Sequence, residues 1–168
     1  MDRHTRETQF HALLTANLPA LRRLAASYAG RMAEQEDLVQ DIALALWQAL
    51  PRFRGESSSR TFLFRIAHNR CLSYLSRRRI NDSLDELELD PADPMASPEQ
   101  TLDNQQASQR LLQAVHRLPL NHRQVVVLAL EDLDYQEIAA VLGISENNVG
   151  VRLNRARAQL RIALGEDP

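Results

Sequence analysis

A chain of 168 residues, 44% of them apolar and with a formal net charge of −2, is long enough for one ordinary domain or two small ones. Its single cysteine, Cys71, excludes an internal disulfide and a multi-cysteine zinc site, and fits a reducing cytoplasm. No run of about 18 apolar residues occurs and the opening MDRHTRETQF is polar, so neither a membrane span nor a signal peptide is expected.

The first predicted helix runs from Arg6 to Tyr28, with Phe10, Leu13, Leu14, Leu18, Leu21 and Leu24 as its apolar stripe. Pro19 is a candidate kink and Gly30 the expected stop. A second helix is predicted over Ala33 to Leu50, with acids in its first turns, where the macrodipole favours them. Leu38, Ile42, Ala45 and Leu46 form its inward stripe, extended by Leu50. Glu36, Asp37, Gln40 and Asp41 fall on a polar side, whose plain reading is a solvated face. Pro51 stops this helix, and RFRGESSS reads as a loop with an exposed Phe53 between two arginines. Ser59 is placed to cap a third helix, Arg60 to Arg79, with Leu63, Ile66, Ala67, Cys71, Tyr74 and Leu75 turned inward. Arg65, His68, Asn69, Ser76 and Arg79 line its other side. A basic loop with an aromatic, leading into a helix with basic and amide groups on one face, is a reasonable DNA surface. His68 and Cys71 have no ligand partners at metal spacing, so a surface role is expected for the first and a core role for the second.

Net charge alone argues against nucleic acid, but its distribution along the chain points the other way. Residues 42–79 hold eight arginines and one acid, whereas residues 80–109 hold eight acids and no basic residue. All 20 basic residues are arginine, whose planar fork suits phosphate and guanine. The acidic stretch, with Pro91, Pro94 and Pro98, reads as a flexible linker over 80–108. Helix resumes near Gln109 and runs to Leu118, and Asn121 is placed to cap HRQVVVLAL.

The most informative stretch follows, from Asp134 to Arg161. Asp134 and Glu137 have the spacing of a capping box, and Ile138, Ala139, Val141 and Leu142 give the helix after it an apolar side. Gly143 is the expected left-handed stop. Ser145 then caps another helix, whose inward stripe is Val149, Leu153, Ala156 and Leu160. This last helix carries four arginines against one acid, with Asn147, Asn148, Arg152, Asn154, Arg155 and Arg157 available outside. Two capped helices about a glycine turn, the second basic, read as a helix-turn-helix.

Taken together, EQEDLVQDIALALW, FRGESSSRTFLFRIAHN and LPLNHRQVVVLALEDLDYQEIAAVLGISENNVGVRLNRARAQLR, in that order, resemble an extracytoplasmic-function sigma factor of bacterial RNA polymerase. The resemblance implies an all-α chain of two small helical domains. Residues 1–79 would form sigma region 2, which binds core polymerase and opens the promoter −10 element. Residues 109–168 would form sigma region 4, which reads the −35 element. It makes Glu36, Asp37, Gln40 and Asp41 the expected polymerase contact. It assigns Phe53, Arg54, Ser57, Arg60, Phe62, Arg65, His68, Asn69, Arg77, Arg78 and Arg79 to −10 DNA, with Phe53 and Asn69 at a base flipped from the strand. It assigns Ser145, Glu146, Asn147, Asn148, Val151, Arg152, Asn154, Arg155 and Arg157 to −35 DNA. Core polymerase and promoter DNA are the implied partners, with an anti-sigma factor a further candidate, and no cofactor or metal is implied.

Some positions depart from the family's habit. Phe62 stands where tryptophan is usual, Ser73 and Ser76 replace commonly charged residues, and Gly150 sits where a basic residue is usual. Mid-helix glycine also costs about 1 kcal/mol against alanine. A sigma-like decoy that occupies an anti-sigma factor without reading DNA is the alternative, and Arg152, Arg155 and Arg157 favour real DNA contact. A plain helix-turn-helix repressor leaves the amino-terminal half unexplained. No nucleophile–base pair or phosphate loop occurs, so an enzyme is not expected.

Overall fold

Hydrophobic stripes repeating at three and four residues bury themselves by packing helix on helix, and the computed structural model of this chain has that architecture. It describes residues 1–84 and 103–166, which contain seven α-helices, one 3-10 turn and no strand. The chain divides into two units, Met1–Ser97 and Pro98–Pro168.

In the first unit, α1 spans Arg3–Ala26, α2 Met32–Ala49 and α3 Ser59–Leu84, and each packs on the other two. The start of α1 lies earlier than the apolar pattern predicts, because the Asp2 side chain accepts the Thr5 N–H at 2.7 Å and caps it. The helix continues through Pro19 and ends at Ala26, where the Ser27 hydroxyl donates to the Arg23 carbonyl; Gly30 lies beyond the stop. Leu38, Ile42, Ala45 and Leu46 of α2 are buried as their spacing predicts, and Leu50 continues the stripe in a 3-10 turn, Leu50–Arg52. Ser58, not Ser59, caps α3, its hydroxyl oxygen accepting the Thr61 N–H at 3.0 Å.

The core of this unit is built on Leu21, Leu24, Ile42, Leu46, Leu63 and Phe64, all essentially sealed from solvent. Each such side chain contributes roughly 1.5–3 kcal/mol through burial. Phe64 lies outside the predicted stripe of α3, while Ile66, Tyr74 and Leu75, which belong to it, are only half-buried. At the rim, the Arg6 guanidinium lies 3.9 Å from the centre of the Trp47 ring and donates to the Trp47 carbonyl, fastening α1 to α2.

In the second unit, α4 spans Asp103–Arg117, α5 Leu120–Ala129, α6 Tyr135–Leu142 and α7 Glu146–Ala163. Val115, Val125, Leu128, Ile138, Val149 and Leu153 form its aliphatic core. Pro119, with no side-chain cap, precedes α5, and Asn121 lies inside the helix, exposed, rather than capping it. Helix α3 runs past Arg79 to Leu84, and α4 starts before Gln109, so both ends of the expected linker are helical. Residues 85–102, the remainder of that linker, lie outside the described residues.

Candidate nucleic-acid interface

The helix-turn-helix is assembled by local chemistry. Asp134 accepts the Glu137 N–H at 2.8 Å while the Glu137 carboxylate accepts the Asp134 N–H at 2.8 Å, closing the capping box that starts α6. Gly143 ends α6 at φ 70, where a side chain would be strained. The Ser145 hydroxyl then accepts the Asn148 N–H at 3.1 Å and starts α7. With Val149, Leu153 and Ala156 buried, Ser145, Glu146, Asn147, Val151, Asn154, Arg155 and Arg157 are exposed, and Asn148 and Arg152 half-buried. An amide- and guanidinium-bearing outer face is the chemistry that reads base edges and holds phosphates.

In the first unit, the loop before α3 forms an open pocket of about 370 Å³, walled by Arg52, Phe53, Arg54, Glu56, Ser57, Phe62 and Arg65. Phe53 is not the exposed aromatic its loop predicts. Its ring leans on Phe62 with centroids 4.6 Å apart and planes at 37°, so the two rings form one apolar patch in a pocket also lined by arginines. Asn69 is exposed one helical turn beyond Arg65. Arg60 is turned elsewhere, its guanidinium 5.1 Å from the centre of the Phe64 ring.

His68 requires a correction. It is only 6% exposed, and burial lowers its titration to about 4, so it sits neutral inside the unit rather than on the surface beside Asn69. It lies one turn from both Phe64 and Cys71, which are fully buried. Cys71 holds the predicted core position, and burial pushes its thiol up, away from thiolate chemistry.

The arginines at the far end of α3 meet acids of α2. Tyr74 donates its hydroxyl to Glu34 at 2.8 Å, and Arg78 donates to the Tyr74 oxygen at 2.9 Å and to Glu34 at 3.3 Å. Asp41 lies 3.7 Å from Arg77 and 3.9 Å from Arg70. The predicted carboxylate face is therefore split. Glu36, Asp37 and Gln40 are exposed, while Asp41 is half-buried in the α2–α3 seam. Arg79 is exposed. Beside Glu36 and Gln40 runs a groove of about 530 Å³ shared with Arg22, Met32, Gln35 and Val39. Helical spacing could not bring in Arg22, because it belongs to another helix. Met32, the methionine just ahead of the polar motif in the sequence, is 70% exposed. Among the described residues, no group of three or more His, Cys, Asp or Glu is placed to hold a metal, and no helix is long and apolar enough to cross a membrane.

Residues 13–80 match the Sigma-70 region 2 family, and residues 108–160 match Sigma-70 region 4. The chain is 34% identical over 130 residues to the RNA polymerase sigma factor YlaC of Bacillus subtilis, covering 75% of each. It is 32% identical over 167 residues to the RNA polymerase sigma factor CnrH of Cupriavidus metallidurans, covering 94% of this chain and 87% of that one. Among solved structures, it resembles the sigma factor RpoE crystallised with the anti-sigma factor NepR from Bartonella quintana, at TM-score 0.76 and 26% identity, over 95% of this chain and 99% of that one. It also resembles CnrH in complex with the cytosolic domain of CnrY, at TM-score 0.69 and 29% identity, over 96% of this chain and 91% of that one. With region 2 on one helical unit, region 4 on the other and relatives matched along most of their length, the chain belongs to the extracytoplasmic-function sigma factors, which bind core RNA polymerase and direct promoter-specific transcription initiation.

Proposed function

We propose that the first unit binds polymerase through Glu36, Asp37 and Gln40 and holds a base flipped from the −10 strand in the Phe53–Phe62 pocket, while α7 reads the −35 element. The observation that carries the reading is the Phe53–Phe62 ring pair in one pocket with Arg52, Arg54 and Arg65. An unpaired base stacks on an aromatic for about 1–3 kcal/mol, and arginines hold the backbone on either side. That stabilisation exists only for the opened strand, so binding drives melting. Asn69, one turn on, offers an amide to the edge of a base. The protein acts by binding, with no catalysis of its own, and its work on polymerase and chromosome puts it in the cytoplasm. On the likeness to the sigma factor held by NepR, an anti-sigma factor is a further partner.

Run-off transcription with core polymerase and genomic DNA tests the reading and supplies the promoter. Discrete starts sharing −35 and −10 elements are expected. Phe53→Ala should still form holoenzyme but open duplex promoters at least tenfold less, with partial recovery on pre-melted templates. Full activity of Phe53→Ala on duplex DNA would remove the pocket from the mechanism.

A further inference from the structure

Gly150 is the one interior glycine of α7. The sequence offers only a cost for it. The structure supplies a reason: a Cβ built on Gly150 would lie 3.3 Å from Cε2 and 3.9 Å from Cδ2 of Tyr135. The first distance is tighter than an ordinary carbon–carbon contact, so the tyrosine ring rests on bare helix backbone where a side chain would stand. Tyr135 is the first residue of α6, inside the capping box, so its backbone is held by the Asp134–Glu137 exchange. It is the only Phe, Tyr or Trp between residues 98 and 168. Its position is not a core position, since it remains 41% exposed. Along α7, Gly150 is one turn from Asn147 and from Asn154, both exposed on the reading face.

We propose that Gly150 is a specificity-determining residue of region 4: it admits the Tyr135 ring onto α7, so that a phenol, not a cation, forms this edge of the −35 reading surface. The inference rests on the proposed −35 role of α7. Its chemical content is a change of contact class. A basic side chain at position 150 would hold phosphate as a charge, independently of sequence, and steepen the salt dependence of binding. A ring wedged against the helix adds apolar area and one neutral hydrogen-bonding group, which respond to groove shape more than to ionic strength. A side chain at position 150 would push the ring off this seat by at least a few tenths of an ångström.

The test is a double-mutant cycle in full-length protein assembled with core polymerase, on the promoter found by run-off and on duplexes with single changes in the −35 element. Gly150→Ala is expected to weaken −35 binding at least threefold and to blunt the preference for the native −35 sequence. In a Tyr135→Ala background the same change should alter binding by less than twofold. Thermal unfolding supplies a readout that needs no DNA. Alanine is the better helix former, so Gly150→Ala should raise the melting temperature once Tyr135 is gone, but not while the ring is present. Equal effects of Gly150→Ala in both backgrounds, in binding and in melting, would overturn the inference while leaving −35 recognition intact. A wild-type holoenzyme indifferent to every −35 change would instead overturn the reading on which it rests.

Discussion

At the scale of single residues, His68 and Phe53 show how burial decides chemistry. His68 has an ordinary titration point of 6.5 and a folded one near 4, lowered because the imidazolium would lose its hydration. The folded state therefore binds fewer protons than the unfolded chain between these values. Stability is fully present above about pH 6.5 and is lost as pH falls towards about 4. The loss from this one group is roughly 3 kcal/mol at most, at about 1.4 kcal/mol per pH unit. Denaturant midpoints at pH 7.5 and 4.5 should differ more for the wild-type protein than for His68→Leu, whose side chain takes no proton. A histidine at the DNA surface would leave the two proteins with parallel pH profiles. Phe53 illustrates the converse, a side chain in a polar loop that is withdrawn from water by one neighbouring ring.

At the scale of elements, what was legible in the sequence is what local chemistry dictates. The α6–turn–α7 segment could be read residue by residue, because its capping box, left-handed glycine and serine cap involve groups no more than four positions apart. Asp41 departs from its expected place for the opposite reason. Its partners Arg70 and Arg77 come from another helix, and helical spacing cannot tell a carboxylate turned to solvent from one turned into a seam. His68 departs for a similar reason, since α3 is buried over a wider arc than its predicted stripe and takes Phe64 and His68 with it. The split face makes a sharper experiment than charge reversal of the whole motif. Asp37→Arg should weaken association with core polymerase at least tenfold and leave thermal stability unchanged. Asp41→Arg would also set like charges together in the α2–α3 seam and should lower stability by about 1 kcal/mol, the scale of a partly exposed ion pair. Holoenzyme formation and thermal melts measured on both proteins check this, and normal polymerase affinity of Asp37→Arg would reduce the exposed face to a solvated one.

At the scale of the whole molecule, charge is distributed against the net figure. Two arginine-bearing surfaces, one in each unit, belong to a chain whose formal net charge is −2, because the acids concentrate over residues 80–109. Six of them lie outside the described residues, among them Asp85, Glu86, Glu88 and Asp90, yet the charge of these four enters the long-range field whatever geometry they take. Changing these four carboxylates to amides moves the formal net charge from −2 to +2, since each change removes one negative charge. A polyanion approaching the isolated protein then meets a more positive field, an effect carried over a Debye length of about 30 Å at 0.01 M salt and about 8 Å at 0.15 M. The four-amide protein should therefore bind promoter DNA without polymerase several-fold more tightly at 0.01 M salt, with the gain fading by 0.15 M. Titration of both proteins with labelled duplex across that range decides between two roles for the segment. A salt-dependent gain makes its acids a screen that reserves the arginines for the holoenzyme. Equal affinity at 0.01 M salt makes the segment a tether whose charge serves solubility alone.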